Sequence, residues 1–176
     1  MREILMVIDM QNDFVDGALG TSEAVHIVDK VVAKIQEFDG EIIVTYDSHL
    51  ENYMETREGK YLPIPHCIKG TKGWELNAKV QEALDKKGEY KTIHKPTFGS
   101  TELINLLKGC TETDTKAILI GLCTDICVVS NAMLLKANYP EMDIVVDAKC
   151  CAGVTVEKHL AALEVMKSCQ IEVINE

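Results

Sequence analysis

Residues 117–133 read AILIGLCTDICVVSNAM. The opening is an apolar run of the length that buries as a strand. After Gly121 come Cys123, Thr124, Asp125 and Cys127, and the segment then continues in a helical pattern. A buried strand that feeds a helix through a short polar junction is half of a parallel βαβ unit. The junction then stands at the carboxyl end of the strand.

The same alternation recurs on both sides. Strands are expected over 3–9, 41–47, 90–94, 116–121, 143–147 and 170–174. After the first comes SEAVHIVDKVVAKIQEF, with Ser22 as cap and Val28, Val31, Val32 and Ile35 on one stripe. After the third comes STELINLLK, capped by Ser100 or Thr101. After the fifth comes TVEKHLAALEVMKS, capped by Thr155, with Val156, Leu160, Leu163 and Met166 on one face. This pattern predicts an α/β fold in three layers, α/β/α, with a six-stranded, mainly parallel sheet and helices on both faces. Its crossovers are right-handed. The 176 residues, 47 % of them hydrophobic, suffice for a single domain over 1–176 and show no repeat or linker. One stretch breaks the rhythm: 48–73, SHLENYMETREGKYLPIPHCIKGTKG, reads as a long polar loop. Such loops in compact domains are usually functional.

The net charge of −10 opposes phosphate backbones, so neither nucleic acid nor an anionic membrane is an expected partner. The opening MREILMVIDM carries Glu3 and Asp9 and has no small-residue cleavage site, so it reads as a strand and not as an export signal. The expected compartment is the cytoplasm, where thiols stay reduced. Seven cysteines in no framework spacing read mostly as small buried hydrophobes, and Cys67, Cys110, Cys150, Cys151 and Cys169 carry no functional signal.

In a parallel sheet the carboxyl ends of the strands share one edge, where functional groups collect. That edge receives Asp9, the pair Asp47 and His49, Lys95, and Cys127. With Thr124 as cap, Cys127 takes the third helical position. There the backbone N–H groups and the positive helix end favour a thiolate, and Lys95 would lower the thiol pKa further. Asp9 as base, Cys127 as nucleophile and Lys95 as positive group make a set for covalent acyl transfer. Asp47 and His49, with His66 returning from the loop, offer two imidazoles and a carboxylate, a donor set that suits Zn²⁺, Fe²⁺ or Mn²⁺. Ordinary surface histidines in a polar loop would read the same way. Trp74 reads as packing.

Four stretches resemble one family, the isochorismatase-like cysteine hydrolases, and within it the nicotinamidases: MVIDMQNDFVDGALG, YDSHL with PIPHCIKGTKGWEL, HKPTFGSTEL, and GLCTDICVVSNAM. The resemblance runs nearly end to end. It implies a catalytic triad of Asp9, Lys95 and Cys127. It implies a cis peptide at Leu122–Cys123 that turns the Cys123 N–H toward an oxyanion hole beside that of Cys127. It implies that Asp47, His49 and His66 bind a divalent metal, zinc first with iron or manganese as alternatives, and that this metal holds the pyridine nitrogen of the substrate. It also implies that Phe14 packs on the substrate ring, and that the partners are a small amide and further copies of the chain. Where many nicotinamidases have an aromatic residue between the metal Asp and His, and Pro after the His, this chain has Ser48 and Leu50.

The implied activity is hydrolysis of nicotinamide to nicotinate and ammonia through a cysteine thioester. The nearest rival is a relative acting on another small amide, a carbamoyl or ureido compound, without the metal set. A metal-binding protein with no turnover is a third reading. A nucleotide-binding oxidoreductase would need G-x-G-x-x-G after the first strand, where DMQNDFVDGALG stands instead.

Overall fold

The chain runs β1 (Arg2–Ile8), α1 (Asn12–Val15), α2 (Ser22–Glu37), β2 (Glu41–Asp47), α3 (Arg57–Tyr61), α4 (Ala78–Lys87), β3 (Lys91–Lys95), α5 (Thr101–Leu106), β4 (Thr115–Leu122), α6 (Val129–Asn138), β5 (Asp143–Ala152), α7 (Val156–Ser168) and β6 (Glu172–Ile174). The computed structural model describes residues 1–176. Alternation along β1 creates two cores. Leu5 and Val7 point to one face, and Ile4, Met6 and Ile8 to the other, all fully buried. A strand buried on both sides needs a layer on each. α2 and α4 cover the first face through Ile27, Val31, Ile35, Val80 and Leu84. α5, α6 and α7 cover the second through Leu103, Ala132, Leu135, Leu163 and Met166.

The sheet order is β3-β2-β1-β4-β5-β6, and every pair is parallel. The chain winds outward through β2 and β3, then returns to place β4 on the other side of β1. The carboxyl ends of β1 and β4 therefore flank the point where the winding reverses. In open α/β sheets that point is the crevice where ligands bind.

Several expected details change. Thr21, not Ser22, caps α2, accepting the Ala24 N–H at 3.0 Å. Ser100 caps α5 and Thr155 caps α7. On α7 the buried side is Ala162, Leu163 and Met166, while Val156 and Leu160 face outward, because the helix rests on the sheet by its later turns. β5 extends to Ala152, five residues past the expected end at 147, since Cys150, Cys151 and Ala152 stay buried beside β4. α4 was not expected: NAKVQEALDKK is mostly polar and buries only Val80, Ala83 and Leu84. Residues 48–73 are not structureless. A 3₁₀ turn at Tyr53–Glu55 leads into α3, whose cap Thr56 accepts the Gly59 N–H at 3.0 Å. The buried Tyr53 donates its hydroxyl to Leu62 O at 2.9 Å and closes the segment on itself. Elements of three and five residues leave no periodic trace to read.

Candidate active site

The period of two along the strands aims the site. On β2, Thr45 and Asp47 follow Ile43 on the side that faces α5, α6 and α7, and on β3 Lys95 follows Ile93 on that same side. Asp47 and Lys95 are direct partners in the ladder. Asp9 lies one residue beyond β1 at φ 47°, a left-handed conformation that Asp tolerates better than most residues. Its N–H donates to Thr45 O at 3.3 Å and to Thr45 Oγ1 at 3.2 Å. Thr45 Oγ1 in turn donates to Asp9 Oδ1 at 2.6 Å.

Asp9, Lys95 and Cys127 come together with almost no solvent contact. Lys95 Nζ lies 2.6 Å from Asp9 Oδ2, 3.4 Å from Cys127 Sγ and 3.1 Å from Thr97 O. An ammonium has three protons, and these are three acceptors for them. Asp47 Oδ1 stands further off at 3.7 Å. Beyond the ion pair with Lys95, Asp9 Oδ2 has no hydrogen-bond partner, which leaves it open to a proton. Burial raises the Asp9 carboxyl above the usual carboxylate range, although Lys95 pulls it down. Burial opposes the charge on Lys95, but Asp9, Cys127 and Asp47 outweigh that and hold it protonated.

The thiol differs from the expectation. Cys127 is pushed well above its ordinary value by burial first and then by Asp9, with Lys95 only partly offsetting them. The local backbone differs too. Thr124 is not a helix cap. Cys123 takes that place, and a π turn over Thr124–Val128, with Val128 N donating to Cys123 O at 3.1 Å, puts Cys127 fourth. The Thr124 hydroxyl bonds His159 Nδ1 instead, at 2.8 Å. Burial thus favours the thiol over the thiolate beside this ion pair. The Leu122–Cys123 peptide is cis. The Cys123 side chain packs against the α2 and α4 side, away from the cluster that holds Cys127. Asn131 went unnoticed in the sequence: its Nδ2 donates to Cys127 O at 2.8 Å, and its Oδ1 accepts from Ser100 N at 3.0 Å, tying the Cys127 turn to the start of α5.

The second group lies on the other side of Asp47. His49 Nε2 is 3.1 Å and His66 Nε2 3.5 Å from Asp47 Oδ2, and the same two nitrogens lie 3.7 and 3.6 Å from Glu58 Oε1. One donor atom from each of Asp47, His49, Glu58 and His66 falls within 4.8 Å of the others. Glu58 was missed. It arrives on α3, and nothing in its spacing from His49 or His66 marks it. His66 Nδ1 bonds Ile64 O at 2.8 Å. A carbonyl only accepts, so Nδ1 carries a proton, and Nε2, facing the two carboxylates, is the nitrogen that would serve a cation seated among them. Two carboxylates and two imidazoles converging in a buried space suit a divalent cation, and the donor set fits zinc.

Phe14 is buried with its ring 5.5 Å from that of His66. Ser48 accepts the Trp74 indole N–H at 2.8 Å, with Trp74 stacked on His94 and tilted against Tyr46, and Leu50 is exposed. A cleft of about 680 Å³ lined by Arg57, Glu58, Tyr61, Leu62, Thr97, Phe98 and Ile126 passes Glu58 and the residue before Cys127. Its volume suits a small organic ligand.

The isochorismatase domain family matches residues 3–176. A nicotinamidase/pyrazinamidase of Mycobacterium tuberculosis is 27 % identical, over 97 % of either chain. An uncharacterized isochorismatase family protein of Bacillus subtilis is 31 % identical, over 93 % of either chain. Among solved structures, a nicotinamidase/pyrazinamidase of Bacillus subtilis superimposes with a TM-score of 0.86 at 28 % identity, covering 99 % of this chain and 100 % of its own. A pyrazinamidase of Pyrococcus horikoshii in complex with zinc gives 0.81 at 28 %, covering 100 % of both.

Proposed function

The chain belongs to the isochorismatase family, and from that premise we propose that it is a metal-dependent nicotinamidase, hydrolysing nicotinamide to nicotinate and ammonia through a thioester on Cys127. The observation that carries this reading is the sharing of Asp47. Its Oδ1 faces Lys95 of the acyl-transfer cluster, and its Oδ2 faces the imidazoles of the four-donor group. One carboxylate thus joins a nucleophile site to a cation site, the arrangement a pyridine carboxamide needs if its ring and its amide are to be held together.

In this reading Asp9 takes the Cys127 proton as the sulfur attacks the carboxamide carbon. The Cys123 and Cys127 N–H groups receive the oxyanion. Asp9 returns the proton to the leaving nitrogen, so ammonia departs and the thioester remains. Asp9 then takes a proton from the water that attacks the thioester, freeing nicotinate and restoring the thiol. Lys95 stays protonated throughout and offsets the charge that moves between Asp9 and sulfur. Asp47, His49, Glu58 and His66 would hold the metal, zinc in the first instance, which when bound supplies a Lewis-acid anchor for the ring nitrogen. Phe14 braces His66 and, with the cleft residues, bounds the ring.

The charge of −10 argues against nucleic acid as partner, and no helix is long and apolar enough to cross a membrane. A cytoplasmic setting is supported by seven free cysteines. A homo-oligomer is supported by the exposed Val154, Val156, Leu160 and Val165 of the α7 region. The test is ammonia and nicotinate release from nicotinamide before chelation, after it, and after zinc is restored. Turnover that is lost and then regained supports the reading. No turnover in the zinc-loaded protein excludes nicotinamide, and the small carbamoyl and ureido amides become the substrates to assay.

A further inference from the structure

Gln11 and Asp13, two and four residues after Asp9, perform none of the acyl-transfer steps, yet their side chains bond the backbone of the proposed metal set. Gln11 is fully buried. Its Oε1 accepts the Asp47 N–H at 2.7 Å, and its Nε2 donates to Asp47 O and to Trp74 O, each at 2.8 Å. The amide thus holds both backbone groups of one proposed ligand, as a neighbouring strand would. Asp13 does the equivalent for another. Its Oδ2 accepts the N–H of Cys67, the residue after His66, at 2.7 Å. Cys67 stands at φ 47°, a conformation that a non-glycine residue keeps only where its surroundings hold it. Asp13 is itself held, by Ala18 N at 3.2 Å on Oδ1 and through its own N–H to Gly73 O at 3.0 Å. A Cβ at Gly73 would enter the Asp13 carboxylate, so the approach needs glycine there.

We propose that Gln11 and Asp13 are positioning residues of the metal centre: Gln11 sets Asp47, Asp13 sets the His66–Cys67 turn, and the segment that carries the base thereby also sets the spacing of two ligands. This rests on the metal reading above. Neither side chain touches the reacting atoms. The two act by fixing where the Asp47 oxygen and the His66 nitrogen meet.

The test is zinc affinity, measured on the full chain by competition with a chromophoric chelator, for the parent, Gln11→Met, Asp13→Ala and Asp13→Asn. Loss of a group that orients a ligand weakens metal binding about 10–100-fold, and Gln11→Met and Asp13→Ala are expected in that range. Asp13→Asn keeps an acceptor for the Cys67 N–H and is expected to stay close to the parent. Far-UV circular dichroism of the chelated proteins confirms an intact sheet. If Gln11→Met does not fold, the Asp13 pair carries the test. A folded Asp13→Ala that holds zinc as tightly as the parent overturns the proposal, as does an Asn variant as weak as Ala. A parent that holds no zinc overturns the metal reading and this inference with it. A parent that holds zinc beside unaffected variants overturns the positioning role alone.

Discussion

At Asp9, the proposed general base, two demands meet. A general base must be ionised to work, and full burial makes ionisation costly. The bond from Thr45 and the charge of Lys95 bring the carboxyl part of the way back. With Asp9 as base, the acid limb of kcat/KM is expected to lie above the usual carboxylate range, since protonation of Asp9 removes the base. Thr45→Val deletes one donor to the charged form at nearly constant volume. It is expected to move that limb up by about one pH unit and to lower kcat/KM roughly tenfold. A pH profile of kcat/KM checks this, and a limb that stays in place would remove Asp9 from the role. At this scale much was legible in the sequence. Asp9, Lys95 and Cys127 stand at or just past the carboxyl ends of three strands, and a parallel sheet gathers such residues on one edge. The state of the thiol was not legible. A helix start and a nearby lysine argue for a thiolate, but complete burial and the Asp9 charge outweigh both, and burial depth cannot be read from spacing.

Among the elements, the end of β4 sets the proposed nucleophile. Gly121 has φ 115°, and a Cβ there would collide with the backbone of Ile8 on β1. Gly121→Ala strains that approach with no flexible side chain to yield. It is expected to cost about 2–4 kcal/mol, a drop of roughly 5–15 °C in Tm. Thermal unfolding beside the parent measures it, and an unchanged Tm would mean that the strand ends are looser than they stand here. Long buried strands were legible because their apolar runs are uninterrupted. The short elements were not. α3 brings Glu58 to the two histidines with five residues, and α1 brings Asp13 and Phe14 to His66 with four. The metal set itself owed more to family resemblance than to spacing, since His66 lies 17 residues beyond His49 and only the folded loop closes the gap.

For the whole molecule, the four-donor group joins the end of β2 to α3 and to the turn after Ile64, so binding of the proposed metal would be linked to folding. A cation that binds only the native chain at 100 times its Kd adds about 2.7 kcal/mol. For a chain of 176 residues that corresponds to roughly 5–10 °C. Chelation should lower Tm by that amount, and restored zinc should recover it. A melting curve indifferent to chelator would contradict a metal seated among Asp47, His49, Glu58 and His66.

The central claim is that Cys127 carries the reaction. It is tested most directly by ammonia release from nicotinamide with zinc-loaded Cys127→Ala beside the zinc-loaded parent. The account predicts a loss of at least about 10³-fold in kcat with the zinc content unchanged, because a nucleophile's removal leaves only what binding and the oxyanion donors supply. Turnover in the alanine variant within a few-fold of the parent would contradict it.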